Sequence, residues 1–174
     1  MVEWSELLEL HGRSVWRIVY RLVNNRSDAD DCFQEVFLAA YKVAEQESVA
    51  DFGHLLRRIA YVRGLRLLRE RYRAASVTSL ESIGEFDSPS REPSPIFAAQ
   101  ETELAEALRQ ALASLPDEQA MAHCLSFQEG WDYEQIAEHL GVTANNVGVL
   151  LNRARKRLRG LLSRFNDSVH TRRN

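Results

Sequence analysis

The residues from Tyr133 to Val147 leave this chain the fewest choices of fold. Ala137 is a small residue inside a short amphipathic run, Gly141 follows four positions later, and Val147 stands six beyond that. Two short helices that cross at a tight turn need this set: a small residue where they approach, a glycine in the turn, and an apolar plug on the second helix. Gly141 can take the positive φ that ends the first helix, and Thr143 is placed to cap the second. Val147, Leu151, Ala154, Leu158, Leu161 and Phe165 then recur at helical spacing and predict a long buried stripe. The pattern is that of a helix-turn-helix. A plain helical hairpin is the alternative, and the basic run that follows the three constraints favours the former.

The rest of the chain also reads as helix, with no convincing alternating strand pattern and no internal repeat. Leu8, Val15, Ile18, Val19 and Leu22 mark a first helix, which Asn24-Asn25 breaks. Ser27 or Asp28 can cap a second, on which Ala29, Cys32, Phe33, Val36, Phe37, Ala40 and Tyr41 share a face. Phe52, Leu55, Leu56, Ile59 and Ala60 mark a third, which runs on into arginines. Three of the four prolines (Pro89, Pro93, Pro95) fall in one stretch rich in serine and acids. Residues 76–97 therefore read as a flexible linker between two small helical domains, 1–75 and 98–165, with a polar tail at 166–174. Leu104, Leu108, Leu112 and Leu115 resume the helical period, Pro116 suits a first helical position, and Gly130 is placed to end that helix. The expected fold is all-α.

Net charge is −3, so the whole molecule carries no basic signature, but the distribution is uneven. Arg57, Arg58, Arg63, Arg66, Arg69, Arg71 and Arg73 cluster with Glu70 as the one acid among them, and Arg153, Arg155, Lys156, Arg157 and Arg159 form a second run. Two basic patches on a mildly acidic chain suit phosphate contacts at two places, with ordinary solvated faces as the bland alternative. If the second helix of the helix-turn-helix enters a major groove, Asn145, Asn146 and Asn152 come within reach of base edges, where an asparagine amide matches adenine. Arg153, Arg155, Lys156 and Arg157 then suit phosphates, which give affinity without sequence information. On the second helix Asp31, Gln34, Glu35, Leu38 and Lys42 line the side opposite the apolar face. Acids, an amide and an outward leucine suit a protein-docking surface; a solvated face and a carboxylate metal site are the alternatives.

The strings Asp28-Ala29-Asp30-Asp31-Cys32-Phe33-Gln34-Glu35-Val36-Phe37 and Leu115-Pro116-Asp117-Glu118-Gln119, with Tyr133-Glu134-Gln135-Ile136-Ala137 and Arg153-Ala154-Arg155-Lys156-Arg157-Leu158, resemble the extracytoplasmic-function sigma factors. The resemblance spans about residues 5 to 162, with both motif sets in the family's order. It implies a first domain that docks on the clamp helices of the largest subunit of RNA polymerase core through Asp31, Gln34, Glu35 and Leu38. That domain would engage the minus-ten element through Arg57, Arg58, Arg63, Arg66 and Arg69, with Tyr61 and Tyr72 as candidates to stack on a base, although a tyrosine beside a core more often packs into it. It implies a second domain that reads the minus-thirty-five element of promoter DNA through Thr143, Asn145, Asn146, Asn152, Arg153, Arg155, Lys156 and Arg157. The polymerase flap and an anti-sigma factor are further partners the resemblance allows. The family usually has Trp at Leu55, Asn at Val62 and Asp at Arg66, and often Thr at Asn146 and basic or small polar residues at Gly148, Val149 and Leu150.

Other functions find less support. Cys32 and Cys124 follow no metal spacing and fit a reduced cytoplasmic protein. No signal peptide or membrane span is expected. His11, His54, His123, His139 and His170 are scattered, and no Ser/His/Asp, phosphate-loop or zinc pattern occurs, so neither an enzyme nor a cofactor is expected. A sigma-like chain that binds polymerase without reading promoters, motivated by Val62, Arg66, Gly148 and Leu150, is one competing reading. A helix-turn-helix regulator acting without polymerase is another, but it would need a self-dimer.

Overall fold

A computed structural model describes residues 3–77, 95–163 and 165, with side chains detailed outside 75–77 and 95–101. The chain divides into two compact units, Met1–Asp87 and Ser88–Asn174. Seven helices and no strand occur among the described residues. Most of the expected linker, residues 78–94, and the expected tail, 166–174, lie outside the described residues. The linker's edges are helical, since the third helix continues to Val77 and the fourth begins at Pro95.

The first unit consists of α1 (Trp4–Val23), α2 (Arg26–Gln46) and α3 (Phe52–Val77). The Asn24-Asn25 pair makes the first corner. Asn24 takes a left-handed backbone (φ 50°) and its N–H donates to Tyr20 O at 2.8 Å, closing α1. Asn25 is extended, and its side chain accepts from Asp28 N–H at 3.0 Å, opening α2. The cap expected at Ser27 or Asp28 therefore lies two or three residues earlier, and the asparagine pair both ends one helix and starts the next. Val15, Ile18, Val19, Leu22 and Val23 pack with Ala29, Cys32, Val36 and Ala40 and with Leu56, Ala60, Tyr61, Leu65 and Leu68. At Gly64 an added Cβ would lie 2.7 Å from Leu22 Cδ1, so α1 and α3 approach closely there and any larger residue would have to push the Leu22 side chain aside. Arg71 donates to Val23 O at 2.6 Å, satisfying a terminal carbonyl of α1. Leu8, expected on the buried face of α1, is exposed, and Tyr41 is exposed beside Trp4.

The second unit consists of α4 (Pro95–Ser114), α5 (Asp117–Gln128), α6 (Tyr133–Leu140) and α7 (Ala144–Leu161). Pro116 precedes α5 as its N-cap rather than occupying the first helical position. Gly130 (φ 69°) turns the chain after α5. Asp132 and Gln135 form a reciprocal capping box at the start of α6: Asp132 Oδ1 accepts from Gln135 N–H at 2.9 Å, and Gln135 Oε1 accepts from Asp132 N–H at 3.0 Å. Gly141 ends α6 at φ 67°, and the N–H of Val142 returns to Ala137 O at 3.0 Å. Thr143 Oγ1 accepts from Asn146 N–H at 3.2 Å and opens α7. Ile136, Ala137, Val147, Leu150, Leu151, Ala154 and Leu158 are buried with Leu112, Leu115, Leu125 and Trp131. The stripe expected along α7 stops at Leu158, because Leu161 is exposed and Phe165 only half-buried. Leu104 and Leu108 likewise keep the helical period but remain exposed.

Candidate nucleic-acid and partner surfaces

Helical geometry divides α7 into distinct faces. Val147, Leu150, Leu151, Ala154 and Leu158 are buried. With 3.6 residues per turn, Asn145, Val149, Asn152 and Lys156 fall on the opposite side at i, i+4, i+7 and i+11, and all four are exposed. Asn146, Arg153 and Arg157 are exposed along one flank of that stripe. Arg153, Lys156 and Arg157 border an open groove of about 910 Å³ that also touches Ser114 and Gln119. Arg155 is exposed on the other flank, near enough to His123 to influence it. Burial first, and Arg155 second, hold that imidazole below its usual range. The Thr143 oxygen serves as the helix cap, so this residue builds the surface by starting α7 in the right place. Leu150 is core, and its difference from the family's usual residue bears on packing rather than on an outward surface.

On α2 the side opposite Ala29, Cys32, Val36 and Ala40 carries Asp31, Gln34 and Leu38, and Leu38 is 62% exposed. Glu35 is exposed on the flank of this stripe that faces α3, where it pairs with Arg63. Asp30 is drawn away, because it accepts from Trp16 Nε1 at 2.7 Å while Trp16 stacks on Tyr20. On the buried face of α2 the Cys32 thiol is pushed up to about 11, chiefly by burial and then by Glu35. It is held as an unreactive thiol.

The arginines of α3 separate in the same way. Arg57 lies close to Asp51, whose carboxyl is lowered mainly by the His54 backbone N–H and to a smaller degree by Arg57 itself. Arg63 pairs with Glu35, and Arg66 Nε donates to Glu70 Oε1 at 2.8 Å. Arg58 is exposed and Arg69 half-buried. Asp28, Asp31, Glu35, Arg63, Arg66 and Glu70 line a groove of about 470 Å³ between α2 and α3, with the acids of α2 on one side and the arginines of α3 on the other. Tyr61 takes the packing alternative rather than the base-stacking one. Its side chain is fully buried among the three helices and has no face to offer a base. Tyr72 is half-buried, and Val62, at one of the family departures, is 49% exposed. Among the described residues no group of three or more His, Cys, Asp or Glu is placed to hold a metal ion. No described helix is long and apolar enough to cross a membrane.

A three-helix unit with a mixed-charge stripe and an arginine helix, in one chain with a helix-turn-helix unit, defines a bipartite helical protein of the sigma-70 type. The family described as Sigma-70 region 2 matches residues 7–74, and Sigma-70, region 4, matches residues 105–158. The chain is 33% identical to the ECF RNA polymerase sigma factor SigE of Mycolicibacterium smegmatis over 171 residues, covering 97% of this chain and 65% of that one. It thus spans a little under two thirds of that relative's length. It is 31% identical to the ECF RNA polymerase sigma factor SigM of Mycobacterium tuberculosis, covering 98% of this chain and 82% of the other. Two solved structures share the fold at 20% identity. Sigma factor RpoE in complex with the anti-sigma factor NepR, from Bartonella quintana, has TM-score 0.56, with 91% of this chain and 96% of that one covered. CnrH in complex with the cytosolic domain of CnrY has TM-score 0.59, with 92% and 87% covered. The chain belongs to the ECF RNA polymerase sigma factor family.

Proposed function

We propose that this chain directs RNA polymerase core to specific promoters as an initiation factor of the cytoplasm, with no catalytic step of its own. Asp31, Gln34 and Leu38, with Glu35 beside them, serve as the docking stripe for core. Arg58 and Arg69, joined by Arg57, Arg63 and Arg66, hold the backbone of the opened minus-ten strand. The second unit binds the upstream element as duplex, with α7 in the major groove and Arg153, Arg155, Lys156 and Arg157 on phosphates. The observation that carries this reading is the outward stripe on α7. It is polar, opposite a packed core, and bordered by cations, in one chain with a region-2 unit. RpoE in the Bartonella structure is held by an anti-sigma factor, and a partner of that kind is proposed here too.

Transcription from a promoter library with reconstituted core tests the proposal. Specific start sites that appear only when the protein is added support it, and their absence overturns it. A polymerase-binding protein that reads no promoter is the second reading. The pairing of Arg63 with Glu35 and of Arg66 with Glu70 favours it, since a paired arginine offers less to a phosphate. Core binding without specific starts would select it.

A further inference from the structure

Resting on the promoter-reading proposal, we infer that the upstream element is read as a short A·T-based sequence, with Val149 as the specificity residue that contacts a thymine methyl between two asparagine–adenine pairs. From Ala144 to Asn152 α7 carries no charged side chain. The first turns of such a helix are the part that meets base edges. Guanine is read from the major groove chiefly by arginine or lysine, whereas asparagine matches adenine and an apolar side chain matches the thymine C5-methyl. The stripe opposite the core presents Asn145, Val149 and Asn152 in that order. Val149 is 39% exposed, so it is a surface valine at the centre of a polar stripe rather than an edge of the core. Asn146 lies on the flank beside Arg153 and Arg157, and is positioned for the sugar-phosphate wall. The first cation on the outward stripe, Lys156, stands eleven residues beyond Asn145. That is about 16 Å along the axis, past the reading turns.

Spacing sets the length of the element. Asn145 and Val149 are about 6 Å apart along the helix axis, and Val149 and Asn152 about 4.5 Å. With α7 lying along the groove, at about 3.4 Å per base pair, the three side chains would span about three steps. The expected element therefore has A·T pairs at three positions within four consecutive base pairs, with a thymine methyl at the inner contact.

The test uses the full chain loaded on polymerase core and duplexes randomised in the upstream element. Enrichment of an A·T-based run supports the inference. Replacing each enriched thymine in turn by deoxyuridine, which lacks only the methyl, should weaken wild-type binding about fourfold at one position. Val149→Ala should remove that difference and otherwise bind. This variant is expected to fold, since the site is exposed and alanine favours helix. Asn145→Ala and Asn152→Ala should each flatten an adenine preference on the order of tenfold. Enrichment of a guanine-based element, or a deoxyuridine effect that persists in Val149→Ala, overturns the inference while promoter reading stands. No enrichment of any upstream sequence by the loaded complex overturns promoter reading itself, and this inference with it.

Discussion

Both units carry a basic helix, but the two helices use their cations differently. On α7 the cations stand on a helix without a single acidic residue, and Arg153, Arg155, Lys156 and Arg157 are all exposed. On α3 the arginines face acids: Glu35 of α2 takes Arg63, and Glu70 takes Arg66. The charge on α7 is therefore available to counterion exchange with phosphate, whereas much of the charge on α3 is balanced within the unit. Exposed pairs of this kind contribute only about 0–1 kcal/mol each to stability, so they can open when a better anion arrives. The lesson is that a run of arginines states its charge but not its use, which depends on the neighbouring helix.

The largest expected effect tests the α7 side. Arg155→Ala with Lys156→Ala should lower the affinity of the core-loaded protein for DNA on the order of fiftyfold near 0.1 M salt and reduce the salt slope by about two. Titration at several salt concentrations checks this, and a loss of affinity with an unchanged slope would break the comparison. Next comes docking. Asp31→Lys should weaken binding to core about tenfold or more, by setting a like charge where the complementary one is wanted. Helix content by circular dichroism should stay unchanged, because the residue is exposed.

A smaller effect of opposite sign should come from releasing a paired arginine. Glu70→Gln leaves Arg66 without its carboxylate and should strengthen DNA binding a few-fold, with the salt slope rising by up to about one. If Glu70→Gln changes nothing while the α7 variant behaves as expected, Arg66 does not reach the nucleic acid.

The smallest effect at neutral pH, and the sharpest contrast between the units, is their dependence on pH. The Cys32 thiol is raised in the folded state from 9.0 to about 11. Its contribution to stability is present below pH 9 and is lost as pH rises through about 9 to 11. His123 is lowered from 6.5, so its contribution is present above that value and is lost as pH falls through and below it. Denaturant midpoints should therefore soften on the alkaline side through the first unit and, as pH first falls below 6.5, through the second; the lowered Asp51 carboxyl of the first unit acts only at more acid pH. Cys32→Ala should flatten only the alkaline limb, and His123→Gln only the acid limb.

Where structure depends on near neighbours in the chain, the sequence shows it. The positive φ at Gly141, the cap at Thr143 and the plug at Val147 follow from residues within ten positions of one another. Local logic also misled in places. Ser27 and Asp28 are good cap types, yet Asn25 holds the cap, because the left-handed turn at Asn24 sets where α2 can begin. The capping box of Asp132 and Gln135 was readable as an acid followed three residues later by a glutamine.

Periodicity identifies the apolar face of a helix, but not whether anything covers it. Leu8, Leu104, Leu108 and Leu161 keep the period and stay exposed, while Tyr61 and Leu150 lie inside. The sequence by itself determined the helices, the helix-turn-helix and the positions of the charges, because those follow from propensity, capping and spacing along one chain. The tertiary structure alone decided which charges balance and which residues are covered. Glu35 meets Arg63 across 28 residues, Arg71 meets Val23 across 48, and Gly64 of α3 lets Leu22 of α1 approach closely. Each of those contacts joins two helices, and their spacing and rotation arise only when the whole core packs.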